Sequence, residues 1–333
     1  MIIARALFLK GVAAATTLAT GGIDVWDPTT PQIRVLIAAD TRGETPQVAP
    51  DGTFAFGGKR WRGAPSTVGT PDGKVALVTT IDVDQYLAGV VPLESPPSWP
   101  AAALQAQAIV ARTFALAKRT LSRTWDVRAD ESDQRWGGVD AEHPAATAAI
   151  QATRGRTLAF AGGPASVFYS ACCGGHTADA SAVWNGAPLP YLRGVDDPYC
   201  APAPDYRWSR AVALDRAVAA FGAKIGGTLT GTALTEPDAT GRPRGVELLG
   251  TTVATIPVAD FRRALGYDVV RSLWLRSVRI DAAQAQPRLV IEGSGRGHGV
   301  GLCQWGARFF ASSGASAADI LAWYFPGTTV LNG

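Results

Sequence analysis

The chain has 333 residues, 47% of them hydrophobic, which is enough for one elaborate domain or two smaller ones. Its formal net charge of +3 is too weak for the positive field of a nucleic-acid binder. Only 18% of the residues are charged, and 37 glycines and 22 prolines indicate many turns and short strands rather than a helical bundle. No apolar run in the body of the chain is long enough to cross a bilayer.

The first 22 residues differ from the rest. Arg5 and Lys10 precede a short apolar stretch of small residues, Gly11–Ala19. A basic start followed by a short apolar run is typical of a secretory signal, although Lys10 lies close to that run and no clear cleavage site follows. We predict that residues 1–22 are a signal peptide or an anchor and that the protein is exported. A frayed terminus is the alternative.

The next elements are strands and turns. Ile33–Ala38 and Val75–Ile81 have the composition of strands, and the Asp-Gly pairs at 51–52 and 72–73 indicate hairpin turns between them. Further along, a short helix is predicted at Val258–Leu265.

The most distinctive acidic residue is Glu94, which stands in the proline-rich segment Val90–Pro97. Prolines fix backbone angles and lower the entropy of a loop, which suits a group that must be held in place. A carboxyl group near a buried helix start is a candidate for a perturbed pKa, with desolvation raising it and the helix dipole lowering it. A surface cap carboxylate is the structural alternative.

A long helix follows at Ala101–Ala117. Ser98 is placed to cap it and Pro100 suits its first turn. The helix is apolar on nearly every side, which predicts a buried position. Arg112 lies at the edge of its apolar stripe, and a buried guanidinium requires a carboxylate or a ligand as its partner. A structural ion pair and a functional role both remain open.

A last helix is predicted at Ala317–Trp323, and the fold class is α+β, with short mixed sheets around a buried central helix.

Four cysteines stand at positions 172, 173, 200 and 303. An even number fits an oxidising compartment, and a bridge from Cys172 or Cys173 to Cys200 is the most local pairing. Adjacent cysteines followed by His176 match the usual paired zinc spacing poorly, so a disulfide is favoured over a metal. Buried reduced thiols are the remaining alternative.

The segment Gly293–Ala307 has five glycines within nine residues, which indicates tight turns or the close approach of another group. No Lys-Ser/Thr pair follows, so a phosphate loop is not supported. His298 in this segment is either a hydrogen-bonded structural residue or a base.

These segments, in their order along the chain, resemble the SpoIID/LytB family. The resemblance is carried by Asp84–Glu94, Trp99-Pro100 with Ala103–Ala115, and the run Gly-His-Gly-Val-Gly-Leu-Cys-Gln-Trp-Gly-Ala at 297–307. Shorter matches are Gly174–Thr177 and Pro190–Arg193. Each piece is weak, but their ordered combination is strong and covers roughly residues 33–331 as one SpoIID/LytB domain.

The resemblance implies a secreted or cell-envelope lytic transglycosylase that needs no cofactor and acts on peptidoglycan glycan strands poor in stem peptides. Glu94 matches the catalytic acid and Arg112 an essential arginine. Tyr191 and Arg193 match groove residues, while His298 and Gln304 match the glycine-rich motif and are assigned to shaping the substrate site. A cell-wall amidase is a further expected partner. Trp99, Trp136 and Tyr191 are candidates for stacking on sugars or for the core.

The chain departs from the family at one point. Some relatives bind zinc just before a Gln-x-aromatic-x-Gly pattern, which here is Gln134–Gly138. The preceding residues Asp130–Asp133 contain no cysteine or histidine. We therefore predict no structural zinc at this segment, and none elsewhere.

Two other functions compete with this prediction. The first is a wall-binding protein without catalytic activity that stimulates an amidase. The second is a glycan hydrolase with water as the nucleophile, which needs a second carboxylate, for which Asp84, Asp130 and Asp133 are candidates.

Overall fold

The computed structural model describes residues 32–283 and 286–332. The predicted leader, residues 1–22, lies outside the described residues. The chain divides into two compact units. The first contains the residues up to 168 together with 311–322 and those from 326 onwards, and the second contains 169–310 and 323–325. The single family domain at 33–331 stays a prediction.

The strands are short. In chain order they are β1 Gln32–Ala38, β2 Gln47–Val48, β3 Thr53–Phe56, β4 Lys59–Arg62, β5 Ala64–Gly69, β6 Val75–Asp82, β7 Val127–Arg128, β8 Thr157–Phe160, β9 Gly163–Pro164, β10 Tyr169–Ser170, β11 Trp208–Ala213, β12 Gly231–Leu234, β13 Gly245–Leu249, β14 Val253–Pro257, β15 Trp274–Asp281, β16 Arg288–Ser294, β17 Leu302–Cys303 and β18 Thr329–Leu331.

The helices are α1 Val83–Ala88, α2 Val91–Glu94, α3 Ala101–Ala117, α4 Pro144–Ala152, α5 Ala180–Trp184, α6 Leu214–Ile225, α7 Val258–Leu265, α8 Gln304–Ser312 and α9 Ala317–Tyr324. Together the elements confirm the predicted α+β class. Within residues 32–283 and 286–332, no helix combines the length and the hydropathy needed to cross a bilayer.

The first unit contains three sheets. The largest has the order β5-β6-β1-β7, with β6 antiparallel to both β5 and β1 and β7 parallel to β1. Residues Ala76–Thr79 of β6 are buried in succession, as in a strand covered on both faces. The other two sheets are β2-β3-β4 and β18-β8-β9. The strands predicted at Ile33–Ala38 and Val75–Ile81 are confirmed.

The predicted helix Ala101–Ala117 is confirmed at both ends as α3, which packs against α1, α4 and β8. Its predicted start is wrong in one detail. Pro100, with ψ of 142°, is the N-cap residue, and no side chain caps the first amides. Because Pro100 is extended, Ser98 lies too far upstream to reach them.

The second unit contains the sheets β11-β16-β15, β12-β13-β14 and β10-β17. Its core combines the apolar faces of α6 and α7 with buried residues of β11, β13, β15 and β16, and Phe221 and Phe261 stack in it with ring centroids 5.3 Å apart. The helix predicted at Val258–Leu265 is confirmed as α7.

The predicted disulfide is wrong. All four cysteines are buried with free sulfurs, and Cys173 Sγ lies 3.5 Å from Cys200 Sγ, whereas a disulfide bond is about 2.0 Å long.

Candidate active site

Glu94 is the last residue of a short helical turn and not, as the prolines suggested, part of an irregular loop. The side chain of Asp82 caps α1 by accepting hydrogen bonds from the amides of Asp84 and Gln85 at 2.9 and 3.2 Å. Gly89 and Val90 then connect α1 to α2, in which Glu94 donates its amide to the carbonyl of Val90 at 3.2 Å. The half-buried Glu94 side chain therefore stands at the end of two consecutive helical turns, of which only the first is capped by a side chain.

Glycines allow this turn to pack closely against the segment 136–138. A Cβ atom on Gly89 would lie 2.6 Å from the carbonyl oxygen of Gly138 and 2.7 Å from Trp136 Nε1. Gly137 donates its amide to the carbonyl of Gly89 at 3.0 Å, and a Cβ on Gly137 would lie 2.8 Å from Leu93 Cδ1. Two backbone segments thus approach so closely that neither position has room for a side chain.

We expect Gly89→Ala to destabilise the protein by about 1–3 kcal/mol, because overpacking a closely packed backbone forces the neighbours to shift. Gly69→Ala is a matched control, since a Cβ at that position meets nothing within 4 Å. Urea unfolding of the two variants measures the difference. Equal free energies of unfolding would contradict the packing at Gly89.

A groove of about 660 Å³ borders the turn within the first unit. Its lining residues come from the strand β4, the turn α2 and the segment 129–141, and they include Lys59, Leu93, Asp130, Glu131, Arg135 and Trp136. Leu93 precedes Glu94 directly and is exposed on the groove. The groove is large enough for a sugar unit and carries groups of both charges.

The three candidate second carboxylates have different surroundings. Asp84 is bound by Arg112 at 2.8 Å, and Asp133 is paired with Lys118 and accepts the amide of Arg128. Asp130 lines the groove. Although burial raises its pKa, hydrogen bonds from Ser132 and the charge of Arg128 bring the pKa of Asp130 below the usual value. Of the three, Asp130 is therefore the carboxylate that lines the groove, and its lowered pKa favours the ionised form.

Arg112 is 1% exposed and forms an ion pair, which is one of the two alternatives that the sequence allowed. Its Nε donates to Asp84 at 2.8 Å, and its two terminal nitrogens donate to the carbonyls of Thr153, Arg156 and Ile150 at 2.9, 3.1 and 3.3 Å. The carbonyls of Ile150 and Thr153 lie at the C-terminal end of α4, where helix carbonyls lack internal partners and a cation is favourable, and that of Arg156 lies in the turn that follows. Arg112 therefore connects α1, α3 and α4. These contacts support a positioning role, and its catalytic role stays a prediction.

The candidate stacking residues are buried. Trp136 is 2% exposed and packs against Trp61 and Tyr86 with centroids 5.0 and 5.4 Å away, so it serves mainly as core beneath the groove. Trp99 and Tyr191 are also buried. Burial raises the pKa of Tyr86, and the charges of Asp133 and Glu94 add to that effect.

The other predicted site residues belong to the second unit, whereas Glu94 and Arg112 belong to the first. Tyr191 is buried in a short 3₁₀ turn, and the neighbouring Arg193 is exposed and pairs with Asp179 at 3.4 Å. Gln304 is the buried first residue of α8. His298 is half-buried beside Trp184, with ring centroids 5.2 Å apart.

His298 is held as a neutral imidazole. Its Nδ1 accepts the amide of Val300 at 3.0 Å, so the ring proton is on Nε2. Burial and the nearby charge of Arg262 together lower the pKa of His298 to about 4. This supports the hydrogen-bonded structural role, with Nε2–H as a donor.

A pH dependence of stability follows from His298. Its pKa is lower in the folded protein than the ordinary 6.5, so the unfolded chain binds the proton more tightly. The contribution of neutral His298 to the stability of the folded protein is complete above pH 6.5 and is lost as the pH falls toward 4. We expect the free energy of unfolding of His298→Gln to fall less between pH 7 and pH 5 than that of the parent protein. Parallel losses would contradict this.

Several groups at the groove could not be selected from sequence. Lys59, Glu131 and Arg135 have no motif of their own, and Asp84 was considered as a second carboxylate instead of the partner of Arg112. The signal in the sequence that could have indicated these groove residues is the acid-rich segment before Gln134, which stands next to an aromatic residue.

Comparison with known proteins places these features in a family context. The family profile described as SpoIID, stage II sporulation protein, matches residues 71–160, which include Glu94, Arg112 and the groove segment. Stage II sporulation protein D of Bacillus subtilis is 29% identical over 272 residues, 76% of this chain and 75% of that protein. An uncharacterized protein of Brachyspira hyodysenteriae is 29% identical over 262 residues, 77% of this chain and 68% of its own length.

A third relative has a different name. The amidase enhancer of Bacillus subtilis is 27% identical over 292 residues, which cover 73% of this chain and 40% of the enhancer.

Proposed function

Because the chain belongs to the SpoIID family, we propose that it is an exported peptidoglycan lytic transglycosylase in which Glu94 is the general acid. The observation that carries the proposal is the position of Glu94 at the end of a helical turn that packs closely against Gly137 and borders the groove through Leu93. A catalytic acid needs fixed placement beside a space for its substrate.

The chemistry needs one acid and no second carboxylate. Glu94 donates its proton to the glycosidic oxygen between N-acetylmuramic acid and N-acetylglucosamine, and the bond to the anomeric carbon breaks. The 6-hydroxyl of the muramic residue attacks that carbon, and its proton passes to the Glu94 carboxylate. The products are a 1,6-anhydro end and a free 4-hydroxyl, and the acid is restored.

The remaining residues support this reaction in different ways. Arg112 anchors α1 and α3, from which the turn with Glu94 departs, and so acts as a positioning residue. The exposed guanidinium of Arg193 is suited to the lactyl carboxylate of a muramic residue. We assign Tyr191, His298 and Gln304 to shaping the substrate site in the second unit.

A second function is favoured by the similarity to the amidase enhancer. In that case the protein binds glycan strands and stimulates a cell-wall amidase without cleaving them. The ionised Asp130 in the groove wall favours the third alternative, a hydrolase in which it activates water.

Digestion of purified glycan strands, with and without stem peptides, distinguishes the three functions. We expect mass spectrometry to detect anhydro-muramic ends, formed without uptake of water, and to detect more of them from the stripped strands. New reducing ends would identify a hydrolase. Intact strands, together with faster release of stem peptides by an added amidase, would identify an enhancer and contradict the proposal.

A further inference from the structure

Three remote segments of the second unit bring sulfur and carboxylate atoms together. Cys173 follows β10, Asp197 caps a 3₁₀ turn that ends at Cys200, and Cys303 ends β17. One ligand atom from each of these four residues lies within 4.8 Å of the other three, and all four residues are buried. Cys173 Sγ is 3.5 Å from Cys200 Sγ and 3.1 Å from Asp197 Oδ2.

These separations are those of ligands around one cation. Two thiolates bound to a tetrahedral zinc at about 2.3 Å each lie about 3.8 Å apart, whereas bonded sulfurs lie about 2.0 Å apart. Three sulfurs and a carboxylate converge on one point, which a single disulfide between two of them does not explain. The set is suited to a soft divalent cation, because thiolates select zinc over magnesium or calcium.

We infer that Cys173, Cys200 and Cys303, with Asp197 as the fourth ligand, hold a zinc-type divalent cation in a closed structural site. Cys172 is buried beside this set and is not one of the four. The inference concerns the second unit alone and does not rest on the proposed function.

The surroundings of Cys303 and Asp197 fit such a site. The amides of Cys173 and Gly306 donate to Cys303 Sγ at 3.2 and 3.4 Å, and the amide of Cys200 donates to Asp197 Oδ1 at 3.2 Å. Donors directed at sulfur stabilise bound thiolates and orient them. A Cβ on Gly306 would lie 2.4 Å from Asp197 Oδ2, so this position has no space for a side chain.

The cation would stabilise a weakly paired part of the fold. The strands β10 and β17 form a sheet of only two residues each, Tyr169 with Leu302 and Ser170 with Cys303. A sheet this small has little stability of its own. Ligation of Cys303 would fix the end of the glycine-rich segment that carries His298, and ligation of Asp197 and Cys200 would fix the segment after Arg193.

Metal analysis of the full chain tests the inference directly. The protein is purified without a metal-chelating tag or resin and analysed by inductively coupled plasma mass spectrometry. We expect one zinc per chain, with all four thiols titratable after denaturation in a chelator. A metal-free chain, or one whose mass shows the loss of two hydrogens per disulfide, would overturn the inference.

Variants identify the ligands. We expect Cys200→Ser and Cys303→Ser to lose the zinc and Asp197→Asn to bind it at least tenfold more weakly, while Cys172→Ser keeps it. Cobalt added to the metal-free parent should show a thiolate charge-transfer band that is absent in Cys200→Ser. Should the serine variants fail to fold, cobalt binding by the parent still decides the presence of the site. Loss of zinc from Cys172→Ser would overturn the assignment of Asp197.

Discussion

Glu94→Gln is expected to lower the rate of glycan-strand cleavage by about 10²–10⁴-fold, the usual contribution of a general acid. Glutamine has nearly the same shape but no proton to give to the glycosidic oxygen. Because Glu94 is only half-buried at the end of its turn and glutamine has the same size, the substitution should leave the unfolding temperature nearly unchanged. Mass spectrometry of digested strands measures the anhydro products, and thermal unfolding measures the fold.

Two groove variants serve as controls for Glu94. Glu131→Gln removes an exposed carboxylate from the same groove, and Asp130→Asn removes the carboxylate whose pKa is lowered. We expect both to retain most of the activity, since the transglycosylase reaction needs one acid. Full activity of Glu94→Gln would remove Glu94 from the mechanism, and a comparable loss in Asp130→Asn would favour the hydrolase.

Arg112→Met is expected to destabilise the protein by about 3–5 kcal/mol, which is the usual cost of breaking a buried ion pair by removing one partner. The substitution leaves the Asp84 carboxylate without its closest cation and removes the donors to the carbonyls of Ile150, Thr153 and Arg156. Glycan cleavage should fall with it, because the elements that carry Glu94 lose an anchor. Urea unfolding at neutral pH measures the change in free energy.

The chain offers a matched control in Arg154, whose guanidinium lies 3.5 Å from the same carboxylate but whose side chain is 78% exposed. Arg154→Met should cost no more than about 1 kcal/mol, as for other exposed ion pairs. A double-mutant cycle with Asp84→Asn isolates the coupling of Arg112 to Asp84. A large loss of activity in Arg112→Met with unchanged stability would contradict the positioning role and favour direct contact with substrate.

Local patterns were sufficient for the elements whose character lies in contiguous sequence. The apolar run at Ala101–Ala117 predicted a buried helix with correct ends, and Val258–Leu265 predicted another. The proline-rich segment around Glu94 indicated a constrained acid but not its helical turn. Proline is compatible with the first turn of a helix as well as with a loop, so composition alone did not distinguish them.

The sequence by itself determined the α+β class, the central buried helix and the candidate acid, because each depends on local patterns in the chain. It also determined the family resemblance, which depends on the order of short motifs along the chain. Only the tertiary structure decided what the remote groups do. It paired Arg112 with Asp84 and the end of α4, sent Trp136 into the core, and gathered Cys173, Asp197, Cys200 and Cys303 into one cluster. Those contacts join positions up to 130 residues apart. Spacing along a chain does not encode such distances, which depend on how the elements pack.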